Sequence, residues 1–325
     1  MKNQHTNKRL SIAVIIPAYR VRHRILQVVE SLQGTVDLIC VVDDACPEHS
    51  GELVRDSIED ETVFVIFNRE NLGVGGAVKS GYKFCLEKGC DLIIKMDGDG
   101  QMQAELIPKL IEPLIHEDAD YTKGNRFFSF ASLRKMPKIR LFGNAVLSLL
   151  SKAASGYWNI FDPNNGFTAI DSRALKALDL DRISNRYFFE SDMLFHLYLL
   201  RARVIDVPMM AKYGDENSNL SLFKASIEFP VKHVRNFIRR LISTYFLRDF
   251  SVASLQLVTG TTLITFSAIF GLSKYSESQS LGIETNSGAL ILFAVTLLVG
   301  IQMLLAFLSF DLQNMPKRPI SRDFD

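Results

Sequence analysis

The first half of the chain alternates short apolar runs with stretches in which apolar residues recur at helical spacing. The apolar runs predict strands at Ile12–Ile16, Leu38–Val42, Val63–Phe67 and Leu92–Met96. The intervening stretches predict helices at Arg24–Leu32, Gly51–Glu59 and Gly75–Lys88. This order predicts an α/β fold, with a mostly parallel, Rossmann-like sheet covered by helices on both faces.

Two long uncharged runs, at about 251–273 and 286–310, follow in the C-terminal part. Each is long enough to cross roughly 30 Å of hydrocarbon as a helix, although a pair of buried core helices is the alternative. The connector between them carries Lys274, Glu277 and Glu284, whereas both outer flanks are basic. The positive-inside rule then predicts a membrane hairpin with both termini cytosolic.

A basic amphipathic stretch precedes these runs, with Phe223, Ile227, Val231, Val234, Ile238 and Leu241 at helical spacing. It predicts a helix lying at anionic headgroups, and the alternative is a helix packed on the soluble domain. We therefore expect a cytosolic domain at 1–220, interfacial helices at 221–250, and the hairpin with a cytosolic tail at 251–325. Small residues of the hairpin (Gly260, Ala268, Gly271) suggest that it could also form homo-oligomers.

Composition narrows the functional classes only slightly. The formal net charge of +1 gives no bias toward nucleic acid. The cysteines Cys40, Cys46, Cys85 and Cys90 lack paired metal-ligand spacing, so we expect them to be reduced packing residues. The apolar run after the polar N-terminus is too short for a signal peptide.

Polar residues and glycines follow all four predicted strands, and in such sheets ligands bind beyond the carboxyl ends of the strands. The candidates for a polar ligand are Pro17, Tyr19, Asp43, Asp44, Asn71 and Gly73. The segment from Asn71 to Gly76 lets backbone approach a ligand but lacks the lysine of a P-loop, and a plain strand-to-helix turn is its alternative.

The last strand ends in Asp97-Gly-Asp99-Gly-Gln101, which brings two like charges close together. Two hard oxygen ligands separated by a glycine suit Mg²⁺ or Mn²⁺, and Gln101 could add a neutral oxygen. The cation would offset the repulsion and bridge to a diphosphate leaving group. A solvated acidic turn is the alternative.

The ordered motifs PAY, VVDDAC, NLGVGGA, MDGDGQ, GNRF and DPNNGF resemble family 2 glycosyltransferases with the GT-A fold. The similarity is to the dolichyl-phosphate mannosyltransferases and the bacterial polyprenyl-phosphate glycosyltransferases, and it covers about residues 12–310. The resemblance implies that Pro17, Tyr19 and Asp43 form the nucleoside pocket. It also implies that Asp97, Asp99 and Gln101 hold metal and diphosphate.

The resemblance further assigns Arg126 and Arg140 to the acceptor phosphate and the loop from Asp162 to Phe167 to the acceptor side. The segment from Phe188 to Met193, with Glu190 and Asp192, would line the sugar pocket. Surface salt bridges are the alternative for the arginines, helix-start acids for Glu190 and Asp192, and a turn acid for Asp162. The chain departs from the family at Arg20-Val-Arg22 and at Tyr213–Asn219.

The reaction expected from these residues is inverting sugar transfer from a UDP- or GDP-sugar to a polyprenyl phosphate. An ionised acceptor phosphate needs no strong base, only cations that bring two anions together. One alternative is a glycosyltransferase acting on a glycolipid or polysaccharide hydroxyl, with Asp162 or Glu190 as base. The other is a non-catalytic nucleotide-sugar-binding membrane subunit.

Overall fold

A computed structural model describes residues 9–126, 138–209 and 222–324. Seven strands form one sheet in the order β3-β2-β1-β4-β6-β5-β7. The first four strands are parallel, as the sequence predicts, whereas β6 runs antiparallel to both β4 and β5. The strands are β1 Ile12–Ala18, β2 Leu38–Asp43, β3 Val63–Phe67, β4 Leu92–Lys95, β5 Tyr121–Asn125, β6 Thr168–Asp171 and β7 Val204–Pro208.

Helices cover both faces of this sheet, and their bounds lie within one or two residues of the predicted ones for α1 to α3. The helices that belong to the sheet domain are α1 Ile25–Leu32, α2 Ser50–Ser57, α3 Val74–Glu87, α4 Ile107–Ile115, α5 Lys138–Ser155, α6 Ser172–Ala177 and α7 Phe189–Leu199. The segment Tyr213–Asn219, which departs from the family pattern, lies outside the described residues.

The core consists of two apolar layers, one on each side of the sheet. Alternate residues of β1 enter opposite layers, because successive side chains of a strand point to opposite faces. Ala13 and Ile15 pack with α3 and α7, whereas Val14 and Ile16 pack with α1 and α4. The strands are therefore buried on both faces, which explains why they appear in the sequence as continuous apolar runs.

The cysteines confirm the expected packing role. Cys40, Cys46, Cys85 and Cys90 are all buried and free. Hydrogen bonding among the buried thiols and burial itself raise the pKa of Cys85 and of Cys90, which disfavours their thiolate forms.

The chain divides into two compact units, residues 1–237 with 316–325, and residues 238–315. The return of the C-terminal residues to the first unit was not predicted, because the sequence interpretation treated them as a tail. In the first unit the buried carboxylate of Asp120 accepts hydrogen bonds from the backbone N–H groups of Ile320 at 2.9 Å and Ser321 at 2.8 Å. These bonds hold the C-terminal segment at the amino end of β5.

The amphipathic stretch forms helix α8, Leu222–Ile242, followed by a π-helical turn at Ser243–Arg248. Three of its apolar residues are exposed: Val231 is 66% exposed, and Val234 and Ile238 are each 50% exposed. Leu241 is instead half-buried and packs against Tyr245, Ala253 and Phe307. Polar residues on another face, His233 and Asn236, are buried instead. The helix therefore packs through a polar face and leaves an apolar stripe exposed.

The second unit contains two helices long and apolar enough to cross a membrane, α9 Val252–Leu281 and α10 Ser287–Gln313. Helix α9 continues beyond the predicted span and includes Lys274 and Glu277, which form a salt bridge of 2.6 Å. Gly260 and Gly271 lie against Leu304 and Phe293 of α10. Their small size therefore serves contact within the hairpin.

The second unit contains a buried ion pair between Arg240 and Asp311. Arg240 donates two hydrogen bonds to Asp311, of 2.6 and 2.9 Å, and the hydroxyl of Tyr245 donates another of 2.6 Å. Arg240, Asp311 and Tyr245 are each at most 1% exposed. Both carboxylate oxygens are thus satisfied, as a buried charge requires.

Candidate active site

The carboxyl ends of β1, β2, β3 and β4 lie at one edge of the sheet, because these strands are parallel and in register. β6 is antiparallel to β4 and pairs Thr168 with Lys95, so the loop before β6 also reaches this edge. The carboxyl end of β5 joins them through the hydrogen bond from Gly124 N to Phe167 O, of 2.8 Å. The topology therefore gathers nearly all predicted site residues along one edge.

The predicted nucleoside side of the site contains an exposed aromatic ring and a buried acid. Tyr19 is 37% exposed just beyond β1, and Pro17 lies within that strand. Asp43 is buried, and its carboxylate accepts backbone hydrogen bonds of 2.7 Å from both Cys46 and Gly51. Asp43 thus fixes the loop that leads into α2.

The segment Arg20-Val-Arg22 stabilises the same loop. Arg20 adopts a positive φ of 58° and donates its backbone N–H to Cys46 Sγ at 3.1 Å. Arg22 Nη1 donates to the carbonyls of Glu48 and His49, at 2.9 and 3.0 Å. Where this chain departs from the family pattern, the two arginines therefore tie the β1 end to the β2 end.

Asp44 holds the glycine-rich segment before α3 rather than standing apart from it. Its carboxylate accepts hydrogen bonds from Leu72 N at 3.0 Å, Gly73 N at 2.8 Å and Asn68 Nδ2 at 2.8 Å. Asn71 Nδ2 donates to the carbonyl of Asp44 at 3.3 Å. Asp44, Asn71 and Gly73 were predicted to bind donor, and the structure gives them an internal role in shaping the loop.

Gly73 is required at its position for a conformational reason. Its backbone φ is +86°, a value that residues with a side chain rarely adopt. An added Cβ would also lie only 2.9 Å from the carbonyl oxygen of Asn185. The glycine-rich loop therefore packs tightly against the chain that leads into α7.

The two acids after β4 are both half-buried at the site edge. Asp97 Oδ1 lies 3.0 Å from the ammonium group of Lys95, and Asp99 Oδ1 accepts a 2.9 Å hydrogen bond from Gln101 N. The turn needs Gly100, whose φ is +73°. The sequence did not predict that Lys95 compensates part of the negative charge of Asp97. We had attributed all compensation of the two acids to a bound metal ion.

The residues after β4 fit a Mg²⁺ or Mn²⁺ ion by donor chemistry. Mg²⁺ typically takes one or two carboxylates and completes its shell with water and substrate phosphate oxygens. Asp97 and Asp99 supply two such carboxylates at a solvent-reachable edge. Within residues 9–126, 138–209 and 222–324, three or more His, Cys, Asp or Glu side chains nowhere cluster to hold a metal ion.

Lys95 joins the strand-end acids to the start of α7. It is 1% exposed, and its ammonium group donates to Glu190 Oε1 at 2.9 Å. Burial by itself lowers the pKa of Lys95, but the charges of Asp97 and Glu190 and the hydrogen bonds to both raise that pKa overall. The ammonium group therefore remains charged inside the protein.

Arg126 and Asp162 form a bidentate pair at the carboxyl end of β5. Arg126 Nε and Nη2 donate to the two carboxylate oxygens of Asp162, at 2.7 and 3.0 Å. The Asp162 side chain is 2% exposed, whereas that of Arg126 is 36% exposed. Arg140, the second predicted phosphate ligand, belongs to α5, but its side chain lies outside the described residues.

Two polar residues near this pair, the buried Lys123 and the half-buried Asp206, have shifted pKa values. Burial lowers the pKa of Lys123, which donates to the carbonyl of Asn165, to about 8. Burial likewise raises the pKa of Asp206 to about 6, even though Phe161 N donates to its carboxylate at 2.8 Å. The loop from Asp162 to Phe167, and Phe161 just before it, therefore contact polar side chains, Lys123 and Asp206, beneath them.

Asp192, two residues after Glu190 in α7, is hydrogen-bonded inside the protein. It accepts hydrogen bonds from Ser184 N at 2.8 Å, Ser184 Oγ at 2.7 Å and Asn236 Nδ2 of α8 at 2.8 Å. His233, also on α8, packs edge-on against Phe188 with ring centroids 4.9 Å apart. Burial lowers the pKa of His233 to about 4. Helix α8 therefore supports the start of α7 through Asp192 and Phe188.

Comparison with known sequences agrees with the family resemblance of the sequence motifs. The family described as Glycosyl transferase family 2 matches residues 13–179. The UDP-N-acetylglucosamine–dolichyl-phosphate N-acetylglucosaminyltransferase of Methanococcus voltae is 30% identical over 218 residues, which cover 63% of this chain and 86% of that protein. The undecaprenyl-phosphate mannosyltransferase of Micrococcus luteus is 31% identical over 204 residues, which cover 62% and 83%.

Comparison with solved structures supports the fold. Glucosyl-3-phosphoglycerate synthase from Mycobacterium tuberculosis, in complex with Mn²⁺, UDP-glucose and phosphoglyceric acid, superposes with a TM-score of 0.52. The match covers 71% of this chain and 79% of that chain at 17% identity. The expected glycosyltransferase fold of the sheet domain is confirmed.

Proposed function

Because this chain belongs to glycosyltransferase family 2, we propose that it transfers a sugar from a UDP- or GDP-sugar to a polyprenyl phosphate. The transfer proceeds by a single displacement with inversion at the anomeric carbon, at the cytosolic face of a membrane, and depends on Mg²⁺ or Mn²⁺. Relatives that are 30% and 31% identical carry names with dolichyl phosphate and undecaprenyl phosphate as acceptors, which supports this substrate class.

The ion pairs of Asp162 and Glu190 are the observation that favours a phosphate acceptor over a hydroxyl acceptor. Transfer to a hydroxyl needs a carboxylate base within reach of its proton. Both candidates are bound to cations: Asp162 to Arg126, and Glu190 to Lys95. A phosphate oxygen is ionised near neutral pH and needs no base, so the arrangement favours a lipid phosphate.

The donor side of the proposed reaction uses the strand ends. Asp97 and Asp99, with Gln101, would hold the divalent cation, which supplies positive charge to the leaving diphosphate. Pro17, Tyr19 and Asp43 line the nucleoside region, and Asp44, Asn71 and Gly73 shape the adjacent loop. Glu190 accepts hydrogen bonds from the sugar hydroxyls, and Asp192 orients the start of α7 that carries it.

The acceptor side depends on guanidinium groups. Arg126 is held by Asp162 and partly exposed, so it can present N–H donors to an acceptor phosphate without rearranging. Arg140 contributes the second guanidinium. Two fixed cations let two anions approach, since arginine binds phosphate in a bidentate way.

A membrane location fits the second unit. Helices α9 and α10 are both long enough to span a bilayer, and α8 presents an exposed apolar stripe. Arg239 and Arg248 precede the hairpin, and Lys317 and Arg318 follow it. By the positive-inside rule, these residues favour a cytosolic catalytic domain with both termini on the same side.

The proposal is tested with full-length protein in detergent, undecaprenyl phosphate, Mg²⁺ or Mn²⁺, and a panel of UDP- and GDP-sugars. Mass spectrometry of the extracted lipid should detect one new polyprenyl-monophosphate sugar, absent with Asp99→Ala. Donor consumption with transfer only to an added glycan would overturn the lipid acceptor in favour of a hydroxyl acceptor. No turnover with any donor would instead support a non-catalytic binding subunit.

A further inference from the structure

Lys95 is a buried cation to which the proposed reaction assigns no role. It ends β4, is 1% exposed, and lies 3.0 Å from Asp97 and 2.9 Å from Glu190. Resting on the proposed function, we propose that Lys95 is a positioning residue. Its ammonium group orients Asp97, sets the charge of the divalent-cation site, and couples that site to Glu190 on the sugar side.

The loop before β6 packs against the ammonium group of Lys95. Gly166, in the loop before β6, lies so close that an added Cβ would clash with Lys95 Nζ and come within 2.6 Å of Asp97 Oδ2. The backbone of this loop therefore covers the Lys95–Asp97 pair directly. Three elements, β4, α7 and the acceptor-side loop, thus meet at a single ammonium group.

The charges around Lys95 have a simple consequence. One ammonium group lies between two carboxylates, Asp97 and Glu190, so these three side chains together carry one net negative charge. Lys123, whose charge also acts on Glu190 and Lys95, is unchanged in every variant below. Removing the ammonium group makes the site more negative, whereas neutralising Glu190 makes it less negative. Because Coulomb attraction acts on a bound cation from each of these groups, the two changes should shift cation affinity in opposite directions.

Shifts of Mn²⁺ affinity in opposite directions would distinguish an electrostatic role of Lys95 from a purely structural one. If Lys95 only supported the fold, Lys95→Met and Glu190→Gln would both disturb Asp97 and weaken cation binding together. If it sets the charge of the site, Lys95→Met should tighten Mn²⁺ binding roughly tenfold and Glu190→Gln should weaken it roughly tenfold. The Lys95→Met/Glu190→Gln double variant restores the net charge and should return near wild type.

The experiment measures Mn²⁺ alone binding to donor-free, full-length protein, by the loss of the free Mn²⁺ signal in electron paramagnetic resonance. Lys83→Met is the matched control. It removes one positive charge from a surface pair with Asp181, in which the lysine is 57% exposed, and solvent screening should keep its effect below about twofold.

The outcomes separate this inference from the proposed function. Shifts in opposite directions, with the double variant near wild type, support the role of Lys95. Weaker binding in both single variants, or no change in either, overturns it while the proposed reaction stands. If Lys95→Met does not fold, the double variant decides, because weakened Mn²⁺ binding despite its restored charge would contradict the inference. Absence of Mn²⁺ binding by the donor-free wild type, at any concentration tested, would overturn this inference, whereas the metal requirement of the proposed reaction is tested separately by the Mn²⁺ dependence of turnover with donor present.

Discussion

Two ion pairs at the same sheet edge expose opposite partners to solvent. In the pair of Lys95 and Asp97, the lysine side chain is 2% exposed and the carboxylate 32% exposed. In the pair of Arg126 and Asp162, the arginine is 36% exposed and the carboxylate 2% exposed. The buried partner in each pair orients the exposed one. The first pair therefore presents a carboxylate to solvent and is called the negative pair, and the second presents a guanidinium and is called the positive pair.

This difference shows how one edge can serve two ligands of the same sign. Nucleotide sugar and lipid phosphate are both anions, and each must meet positive charge. A negative pair can supply it only through a bound cation, whereas a guanidinium supplies it directly. The proposed donor and acceptor sides therefore use different sources of positive charge, and each can be altered separately.

The largest expected effect comes from the negative side. Asp99→Asn keeps the size of the side chain but removes one of two anionic ligands for the proposed cation. Since such a cation contributes several kcal/mol to stabilising transition-state charge, turnover should fall by about 10³-fold. Steady-state rates over a range of Mn²⁺ concentrations check this, and full activity at ordinary Mn²⁺ levels would remove Asp99 from the site.

A third ion pair, between Arg240 and Asp311, provides a contrast because neither side chain is exposed by more than 2%. It presents no charge, so its loss should reduce stability rather than act on a substrate. Asp311→Asn leaves the arginine without its buried counter-ion, which should cost about 3–5 kcal/mol.

The apparent melting temperature in detergent measures this cost. The double variant Arg240→Met/Asp311→Leu is the control, and it should recover much of the loss because an apolar pair avoids desolvating charges. A single variant as stable as wild type would show that the pair is not needed.

Gly166→Ala probes the contact between the acceptor-side loop and the negative pair. The new Cβ would meet Lys95 and Asp97, and such overpacking should cost about 1–3 kcal/mol and reduce Mn²⁺ affinity. Gly143→Ala is the matched control, because its Cβ would meet nothing within 4 Å. Equal melting temperatures and Mn²⁺ affinities for the two variants would exclude a tight contact at Gly166.

The smallest effect concerns His233, which lies outside both pairs. Its pKa of about 4 in the folded protein is below the ordinary value of 6.5, so the unfolded chain takes up the proton first as pH falls. The stability that His233 provides is therefore complete above pH 6.5 and decreases toward pH 4. Between pH 6.5 and pH 5 the decrease should be about 2 kcal/mol.

Melting temperatures at several pH values, for wild type and His233→Gln, test this prediction. The variant should lose less stability on acidification. Asp206, whose pKa is raised to about 6, titrates in both proteins, so it cancels in the comparison. If the melting temperatures of wild type and His233→Gln fell by the same amount with pH, the low pKa of His233 would be contradicted.

The sequence predicted the sheet well because its signals are local. Apolar runs located the first four strands, and their parallel pairing follows from the alternation with helices. Strands β5, β6 and β7 were not predicted. The sequences of β5 and β6, YTKGN and TAID, contain no continuous apolar run, and no helical pattern marks the antiparallel connection of β6. The edge that gathers the polar strand ends also followed from the sequence.

The partners of the site acids could not be predicted from the sequence. Lys95 stands in an apolar strand run and meets Glu190, which lies 95 residues further along the chain. Arg126 and Asp162 were both expected at the site, but nothing local in the sequence indicated that they bind each other. A lysine inside an otherwise apolar strand was the available signal, because an isolated buried charge is too costly to persist without a partner.

The most direct test of the comparison is a single kinetic experiment on Arg126→Lys. Initial rates are measured against undecaprenyl phosphate and, separately, against Mn²⁺, with the donor found active. Lysine keeps the charge beside Asp162 but loses the bidentate fork. The kcat/KM for the lipid phosphate should therefore fall about tenfold to a hundredfold, while half-maximal Mn²⁺ activation should shift less than about twofold. An unchanged kcat/KM for the lipid phosphate, together with a shifted Mn²⁺ requirement, would contradict the assignment of opposite charges to the two substrates.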